Sequence, residues 1–398
     1  MAGQKRSIVH CWAPELTCIL LVLSQSLDQI SGCPPSSFLP LLTLTEQFNQ
    51  AEIAVLGQWS AANKGPFENT GETRFEVKQI FHQSDKTKFK SGDQITINHY
   101  HPMKQGAQFL LLGTFGDKLK WDDTIEVSRV SLLYFTQAPS PEEKTTKRFH
   151  YFLKFLEDPN ETVAEDAFAV ITRASFEELV ALTPELPRDK IRNWVENPKT
   201  SLNRQRLYGL LLGLSAQKSD IAFMEAKITE PTKEFRLGIE GMMAGYLLQT
   251  GSDGLDKFEK AKLIPKDVAV SETYAAMQAL RFMWTYGDGR ISKERLRQSM
   301  QLLLDRPELT DLVVADLARW NDWSVLDRLM EMYGAEDYNI PSIKRAIVRY
   351  LLVASKGKNK KGDGPDAETT EKAKQLLDKL RKEDPKTVQS AERFFFLK

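Results

Sequence analysis

The sequence predicts an α+β protein of several domains, in which a small antiparallel β-barrel is followed by an α-solenoid of helix pairs. Two observations lead to this prediction. Between residues 43 and 138, short stretches with alternating apolar and polar side chains are separated by turn residues, which is typical of β-strands. Between residues 139 and 355, apolar side chains recur at helical spacing in segments of similar length, which is typical of stacked helical repeats.

The first 32 residues have the features of an export signal. Lys5 and Arg6 form a basic start, and the apolar run 16–23 has the length of a secretion signal core but is too short to cross a bilayer. Residues 30–33, Ile-Ser-Gly-Cys, have the order of a lipoprotein cleavage site, where the cysteine sulfur carries a diacylglyceryl group. The sequence therefore predicts that residues 1–32 are removed and that the protein is exported to the periplasm or cell envelope.

Three alternatives for processing follow from this segment. Cleavage by a lipoprotein peptidase would leave a lipidated Cys33 as the first residue and as the protein's link to a membrane. An ordinary signal peptidase would cut after Gly32 and leave Cys33 unmodified. In the third alternative the apolar helix stays attached, which Pro14 and the polar residues after the apolar run disfavour.

Charge and cysteine content argue against several classes of function. The chain has 54 basic and 54 acidic residues, and a neutral chain lacks the electrostatic footprint of a nucleic-acid-binding protein. Its three cysteines are Cys11, Cys18 and Cys33, so removal of the signal would leave one thiol and neither an intrachain disulfide nor a cysteine zinc site. We therefore expect no nucleic-acid partner and no cofactor.

Residues 43–138 are predicted to form a β domain. The stretch 43–50 has the pattern of a short helix with Thr43 or Thr45 as its N-cap. Residues 107–116 form a continuous apolar run, which is typical of a strand covered on both faces. About five short strands indicate a small closed barrel or a sandwich. The predicted strands are AEIAVLGQWSA (51–61), ETRFEVKQIFH (72–82), SGDQITINHY (91–100), AQFLLLGTFG (107–116) and TIEVSRVSLLYF (124–135), the last as one strand or two.

The order of these stretches resembles the netrin-like module, the OB-type barrel of tissue inhibitors of metalloproteinases. The resemblance consists of a cysteine near the start, Cys33, followed by AEIAVLGQW, FEVKQIF, GDQITI and GAQFLLLG. It implies an OB-type fold for residues 33–138. It also implies an alternative function, metalloprotease inhibition, in which the amine and carbonyl of the N-terminal cysteine chelate the protease zinc. In that family a disulfide holds this cysteine, whereas Cys33 has no cysteine partner after cleavage.

His99 and His101 are the candidates for a metal site. Their spacing of two places both imidazoles on one face if the strand continues, and two imidazoles can share a metal ion. His82 and His150 have no acidic partner at motif spacing. A strand end with two surface histidines is the simpler interpretation, so no metal is expected. A metal-dependent enzyme that uses His99 and His101 is kept as a further alternative.

Residues 139–355 are predicted to form an α-solenoid of HEAT type. A Pro- and charge-rich stretch, 137–147, separates them from the strands. Five longer helices have starts 30, 37, 38 and 31 residues apart, and each of the first four precedes a second amphipathic helix. Such two-helix units bury their apolar faces only by stacking on neighbours. The five are RLYGLLLGLSA (from 206), RLGIEGMMAGYLLQTG (from 236), TYAAMQALRFMWTYG (from 273), DLVVADLARWND (from 311) and SIKRAIVRYLLVAS (from 342).

Small residues recur four apart in these helices, which places each pair on one helix face. Because glycine costs about 1 kcal/mol in a helix interior, close packing against a neighbouring helix is the expected compensation. Two aromatic stretches, 281–287 and 318–325, are predicted to belong mainly to the core, with a concave binding face as the alternative. The small-residue pairs are Gly209 with Gly213, Gly241 with Gly245, and Ala275 with Ala279.

The last part of the chain is predicted as a linker followed by a helix. Residues 356–368 are rich in Lys and Gly, a composition typical of a flexible linker. Within 369–398, the stretch 369–384 has the pattern of an amphipathic helix. The three phenylalanines at 394–396 are expected to dock on apolar surface, since leaving each in water costs roughly 1.5 to 3 kcal/mol.

The chain has none of the common hydrolase, nucleotide-binding or zinc-protease motifs, so no enzymatic activity is expected. At full length it resembles an uncharacterised bacterial family of exported proteins with an N-terminal netrin-like segment and C-terminal HEAT-like repeats. SETYAAMQALRFMWTYG and IPSIKRAIVRYLL carry this resemblance. That family often begins its mature chain with Cys-Pro-x-Cys, whereas Ser36 stands at the second cysteine position here. The favoured prediction is a non-enzymatic binding or scaffold protein of the cell envelope with a protein partner.

Overall fold

The computed structural model describes residues 42–67, 70–122, 124–232, 234–358, 362 and 364–393. Within these residues the chain is α+β, as predicted, because an antiparallel sheet precedes a long series of helices. The export signal, Cys33 and the phenylalanines at 394–396 lie outside the described residues. The expectations for them therefore stay predictions.

Six strands form one antiparallel sheet, and their pairing starts from a long hairpin. The strands are β1 (Ile53–Lys64), β2 (Gly71–Gln83), β3 (Gln94–Ile97), β4 (Gln108–Phe115), β5 (Leu119–Trp121) and β6 (Ile125–Glu126). β1 and β2 form the hairpin, in which Ile53 lies opposite Gln83 and Lys64 opposite Gly71. The sheet order is β3-β2-β1-β4-β5, and β6 pairs with β4 off this path.

This sheet is open, so the closed OB-type barrel predicted from the sequence is not formed. β3 pairs with β2 over four residues, and β5 pairs with β4 over three. β3 and β5 are the two ends of the sheet order and are not paired with each other. Closing a barrel requires the two edge strands to hydrogen-bond to each other. Such short edge strands offer few ladder positions for that pairing.

The last predicted strand, 124–135, is wrong over most of its length. Only Ile125–Glu126 are extended, and Arg129–Gln137 form a helix. Ser128 starts this helix in a reciprocal capping box with Ser131, and Tyr134 and Phe135 are buried on one of its faces. The β-branched and aromatic residues of this stretch are compatible with a strand or a helix, and the capping box favours the helix.

The central strands of the sheet are buried on both faces, and one face carries the main hydrophobic cluster. β4 is buried without interruption from residue 109 to residue 113, as predicted for a strand covered on both faces. β1 is likewise buried over its first five residues. The buried cluster consists of Ile53, Val55, Phe75, Val77, Ile95, Phe109 and Leu111.

The described residues form sixteen α-helices, and they include the five longer helices predicted from the sequence as α7, α9, α10, α12 and α14. They are α1 (Leu44–Gln50), α2 (Arg129–Gln137), α3 (Thr145–Phe152), α4 (Glu161–Thr172), α5 (Phe176–Ala181), α6 (Arg188–Glu196), α7 (Leu202–Leu214), α8 (Lys218–Thr229), α9 (Ile239–Phe258), α10 (Val270–Tyr286), α11 (Lys293–Gln301), α12 (Thr310–Arg319), α13 (Leu326–Gly334), α14 (Pro341–Ala354), α15 (Ala367–Glu383) and α16 (Pro385–Arg393).

The helices α1 and α9 each have a distinctive local feature. Thr43 caps α1 in a capping box with Glu46, which confirms one of the two predicted caps. α9 is kinked at Gly251, whose φ of 57° lies in the left-handed region that glycine tolerates, and it continues into a π-helical turn at Glu259–Leu263. The π-helical turn contains Lys262, which forms an enclosed ion pair with Glu272.

Contacts divide the chain into two compact units. In the described residues, the sheet unit comprises residues 42–224 and 237–245, with the sheet and helices α1 to α7. The helical unit comprises residues 225–236 and 246–393, with helices α10 to α16. The domain boundaries predicted at residues 138, 355 and 368 stay predictions. In the part of the chain that the structure describes, no helix has the length and apolar character required to cross a membrane.

Candidate functional site

The two histidines singled out in the sequence lie just beyond β3, in the sheet unit. The Thr73 hydroxyl donates to the carbonyl of His99 at 2.6 Å and accepts from the N–H of His101 at 2.9 Å. Trp59 Nε1 donates to the carbonyl of His101 at 2.9 Å. The imidazole centroids lie 6.4 Å apart, and the His101 ring packs edge-on against Phe109. Backbone hydrogen bonds therefore hold both histidines in one loop.

No third metal ligand joins this pair. Among the described residues there is no group of three or more His, Cys, Asp or Glu side chains that could hold a metal ion. Catalytic zinc sites use three protein ligands and structural sites four. His99 and His101 therefore stay a candidate pair. Next to them lies an open depression lined by Pro102, Met103, Lys104, Ala107 and Glu126.

Asp166 of α4 is a buried carboxylate in the sheet unit. It accepts from the backbone N–H groups of Leu44 at 2.5 Å and Thr45 at 3.3 Å, and from the Tyr134 hydroxyl at 2.7 Å. Burial raises the pKa of Asp166, and these hydrogen bonds act in the opposite direction without cancelling it. Because protein donors surround the carboxylate, its role is to tie α1 and α2 to α4.

Arginine–carboxylate pairs recur between helices at a nearly constant sequence separation. The partners stand 32 to 36 residues apart, which lies within the range of the predicted helix starts. In the sequence these pairs are an arginine and an acidic residue separated by about one repeat, and they were not among the predicted features. The pairs are Arg188 with Asp220 and Arg206 with Glu240 in the sheet unit, and Arg236 with Glu272, Arg281 with Asp316 and Arg295 with Glu259 in the helical unit.

Glu272 is one of the most enclosed acids of this series. Its side chain is 1% exposed, and that of Lys262, in the π-helical turn, is 3% exposed. Glu272 accepts from Lys262 Nζ at 2.8 Å and from Arg236 Nε at 2.9 Å. Burial by itself would raise the pKa of Glu272, but the two cations outweigh burial and hold the pKa below its usual value. Its charge is thus balanced inside the protein, so this network is structural.

Three helices of the helical unit, α10, α12 and α14, lie side by side and run in the same direction. At their C-terminal ends, Trp284 of α10 stacks on Trp320, directly after α12, with ring centroids 4.3 Å apart. The Tyr350 hydroxyl of α14 donates to the carbonyl of Asp322 at 2.6 Å. The C-terminal ends of all three helices therefore meet.

The aromatic stretches predicted to be mainly core fit this arrangement. Trp320 is 4% exposed. Trp284 is half-buried, and Lys293 Nζ lies 5.0 Å from the centroid of its ring. The stretches thus contribute one fully enclosed tryptophan, Trp320, and two that are half-buried, Trp284 and Trp323.

The outer side of these three helices carries several arginines. On α14 the buried stripe contains Ile343, Ile347 and Leu351, and helical geometry places Arg345 and Arg349 on the opposite side. Because α10, α12 and α14 run in the same direction, their sides opposite the core form one surface. We call this surface the arginine face, and it includes Arg281, Arg319, Arg345 and Arg349.

Two of its arginines share one carboxylate, and the other two have no acidic partner among the described residues. Asp316 accepts from Arg281 Nε at 2.5 Å and from Arg319 at 3.1 Å. In the described part of the chain, neither Arg345 nor Arg349 has an ion-pair or hydrogen-bond partner. Burial and the charge of Arg345 both lower the pKa of the Arg349 guanidinium. The arginine face therefore contains two cations, one helical turn apart, that no acidic side chain of the described residues pairs with.

Exposed apolar and aromatic side chains lie on α10, the helix that also carries Arg281. Val270 and Tyr274, one turn apart near the start of α10, are 41% and 40% exposed. Tyrosine and arginine are enriched in protein interfaces because they combine a large contact area with directed polar groups. A surface of this composition can bind an extended segment that has both carboxylate and apolar side chains.

In comparisons with known proteins, no family model, no curated protein and no solved structure matches the chain. The function is therefore argued from the chemistry of the described residues.

Proposed function

We propose that the protein is a non-enzymatic binding or scaffold protein, exported to the cell envelope, and that the arginine face holds a protein partner. The observation that carries this proposal is the pair Arg345 and Arg349, one helical turn apart on α14, which has no ion-pair or hydrogen-bond partner among the described residues. A stable protein seldom keeps two half-buried like charges together without a counter-charge, because burial of an unpaired charge costs free energy. A partner with acidic groups would supply that counter-charge.

The proposal includes a HEAT-type solenoid for the helical part of the chain. The nearly constant separation of the arginine–carboxylate pairs and the common direction of α10, α12 and α14 support it. Repeat proteins use the surface formed by equivalent helices as an extended binding face. In this arrangement the arginine face is the binding face of consecutive repeats.

Export and the relation to the uncharacterised family of exported netrin-like and helical-repeat proteins are parts of the same proposal. They rest on the sequence features around Cys33 and on the quoted stretches of the chain. If Cys33 carries a lipid, the binding face would act at a membrane surface. If Cys33 is unmodified, the protein would act as a soluble envelope component.

The experiment is site-specific photo-crosslinking in the native host. A photoreactive amino acid replaces Gln278, which lies on α10 one turn after Tyr274, and in a control protein it replaces Lys374, which is exposed on α15. We expect one discrete adduct with an envelope protein from position 278 and none from position 374. Equal labelling from both positions, or none from position 278, would contradict a partner at the arginine face.

A further inference from the structure

We propose that Arg345 and Arg349 form a carboxylate clamp that binds an Asp- or Glu-rich peptide segment of the partner. The two guanidinium groups project from consecutive turns of α14, opposite its buried stripe. This inference rests on the proposed function and adds the chemical class of the segment that is bound.

The clamp differs from most arginines of its unit. Arg236, Arg281 and Arg295 each donate to a carboxylate of a neighbouring helix. Arg306 donates to the carbonyls of Pro265 and Val268. Arg345 and Arg349 have no such acceptor among the described residues, although they lie on a helix packed against α12 and α16.

The acids of the adjacent helix are occupied. Asp316 of α12 accepts from Arg281 and Arg319, and Asp311 accepts from the backbone N–H of Leu312. Neither carboxylate is hydrogen-bonded to α14. The guanidinium groups of the clamp therefore have N–H donors without an acceptor among the described residues, and an external anion can accept from them.

Carboxylates suit this site better than a nucleic acid does. A guanidinium group forms two parallel hydrogen bonds to one carboxylate, so two arginines one turn apart can bind two acidic side chains. Binding to a phosphodiester backbone requires a longer track of basic residues, and the whole chain is neutral, with 54 basic and 54 acidic residues.

Direct binding to full-length protein tests the clamp. The probe is a fluorescently labelled hexaglutamate peptide, measured by anisotropy at low salt. We expect the double variant R345A/R349A to bind it at least about tenfold more weakly, since two charge-assisted contacts are lost. The control K374A/K379A removes the same charge from α15, where both lysines are exposed and already paired with Glu371 and Glu383. It is expected to bind like the wild type.

Several outcomes would overturn the clamp. They are no binding of the peptide, an equal loss in both double variants, or tighter binding of single-stranded DNA or anionic lipid vesicles than of the peptide. The crosslinking experiment separates the two proposals. An adduct at position 278 without peptide binding would remove the clamp and keep the partner, and peptide binding without an adduct would remove the partner site.

Thermal unfolding gives a second readout that a structural role would not share. Arg349→Met keeps the apolar stem of the side chain and removes the charge. If the charge is kept for binding, the variant should lose peptide affinity and have a Tm equal to or above that of the wild type. A lower Tm with unchanged affinity would show that Arg349 is structural.

Discussion

At the scale of single residues, Asp166 and Glu272 show two ways of enclosing a carboxylate. Asp166 has only neutral donors, two backbone N–H groups and a tyrosine hydroxyl, and burial raises its pKa. Glu272 has two cationic donors, and its pKa is lowered despite burial. The charge of the donor decides the sign, since a cation favours the ionised carboxylate far more than a neutral donor does.

Asp166→Ala is expected to lower the free energy of unfolding by about 2 to 3 kcal/mol, because it leaves buried N–H groups without an acceptor. Asp166→Asn keeps an acceptor and should cost less. Because the folded-state pKa of Asp166 is raised, its contribution is present below the unfolded pKa of about 3.9 and is lost as pH rises through the folded pKa. Urea denaturation at several pH values from acid to neutral should therefore show that the free energy of unfolding of the Asn variant rises relative to that of the wild type as pH increases. The opposite trend would contradict the raised pKa.

Glu272→Gln is expected to lower the free energy of unfolding by about 3 kcal/mol at neutral pH, because Lys262 and Arg236 lose their shared counter-charge. Since the folded-state pKa of Glu272 is lowered, this stability is present above the unfolded pKa of about 4.3 and is lost as pH falls through the folded pKa. Urea denaturation between neutral and acidic pH measures both effects. As a control, Asp327→Asn breaks an exposed pair with Lys372 and should change stability by less than about 0.5 kcal/mol.

At the scale of helices, the glycine pairs confirm the predicted close approach. Within the sheet unit, a Cβ atom on Gly209 of α7 would lie 2.5 Å from the backbone nitrogen of Met242 in α9. A Cβ atom on Gly245 would lie 2.8 Å from the carbonyl oxygen of Gly209. The two backbones are therefore in contact, and glycine is required there for space.

Gly209→Ala should lower the free energy of unfolding by about 2 kcal/mol, because backbone atoms of α9 would have to move. This loss is expected although alanine is favoured over glycine in a helix by about 1 kcal/mol. Gly334→Ala is the matched control, since a Cβ atom at the end of α13 would have no atom within 4 Å. Chemical denaturation of both variants measures the difference. Equal stability of the two would show that α7 and α9 can separate without cost.

At the scale of the whole molecule, each unit is held together by contacts between residues distant in the chain. In the sheet unit, Asp166 and Leu44 are separated by 122 residues. In the helical unit, the arginine–carboxylate pairs span about one repeat each, here 35 or 36 residues. Several ion pairs of the helical unit therefore join segments that are close to one another in the sequence.

Removal of residues 1–32 is a prediction for the whole chain. The intact mass and N-terminal peptide of protein from its native host should show Cys33 as the first residue. A diacylglyceryl mass on Cys33 would establish a membrane-tethered protein, and an unmodified Cys33 a soluble exported one. A chain that begins at Met1 or Ala2 would show that the export prediction is wrong.

The sequence by itself determined where the helices and the main strands lie. Periodicity located α7, α9, α10, α12 and α14, and the threonines before α1 limited its cap to Thr43 or Thr45, of which the structure has Thr43. Both signals act within a few residues of the chain, so local propensity and burial pattern are enough to find them. The glycine pairs were predictable for the same reason, because their spacing matches one helical turn.

Only the tertiary structure decided how these elements combine. The sheet stays open because its edge strands are short, and strand length depends on pairing with distant residues. The arginine face was likewise not predictable, since Arg345 and Arg349 resemble the paired arginines until their neighbours on α12 are known. The ion-pair partner of an arginine lies tens of residues away in the chain, and the local sequence pattern does not show which distant side chain the fold brings next to it.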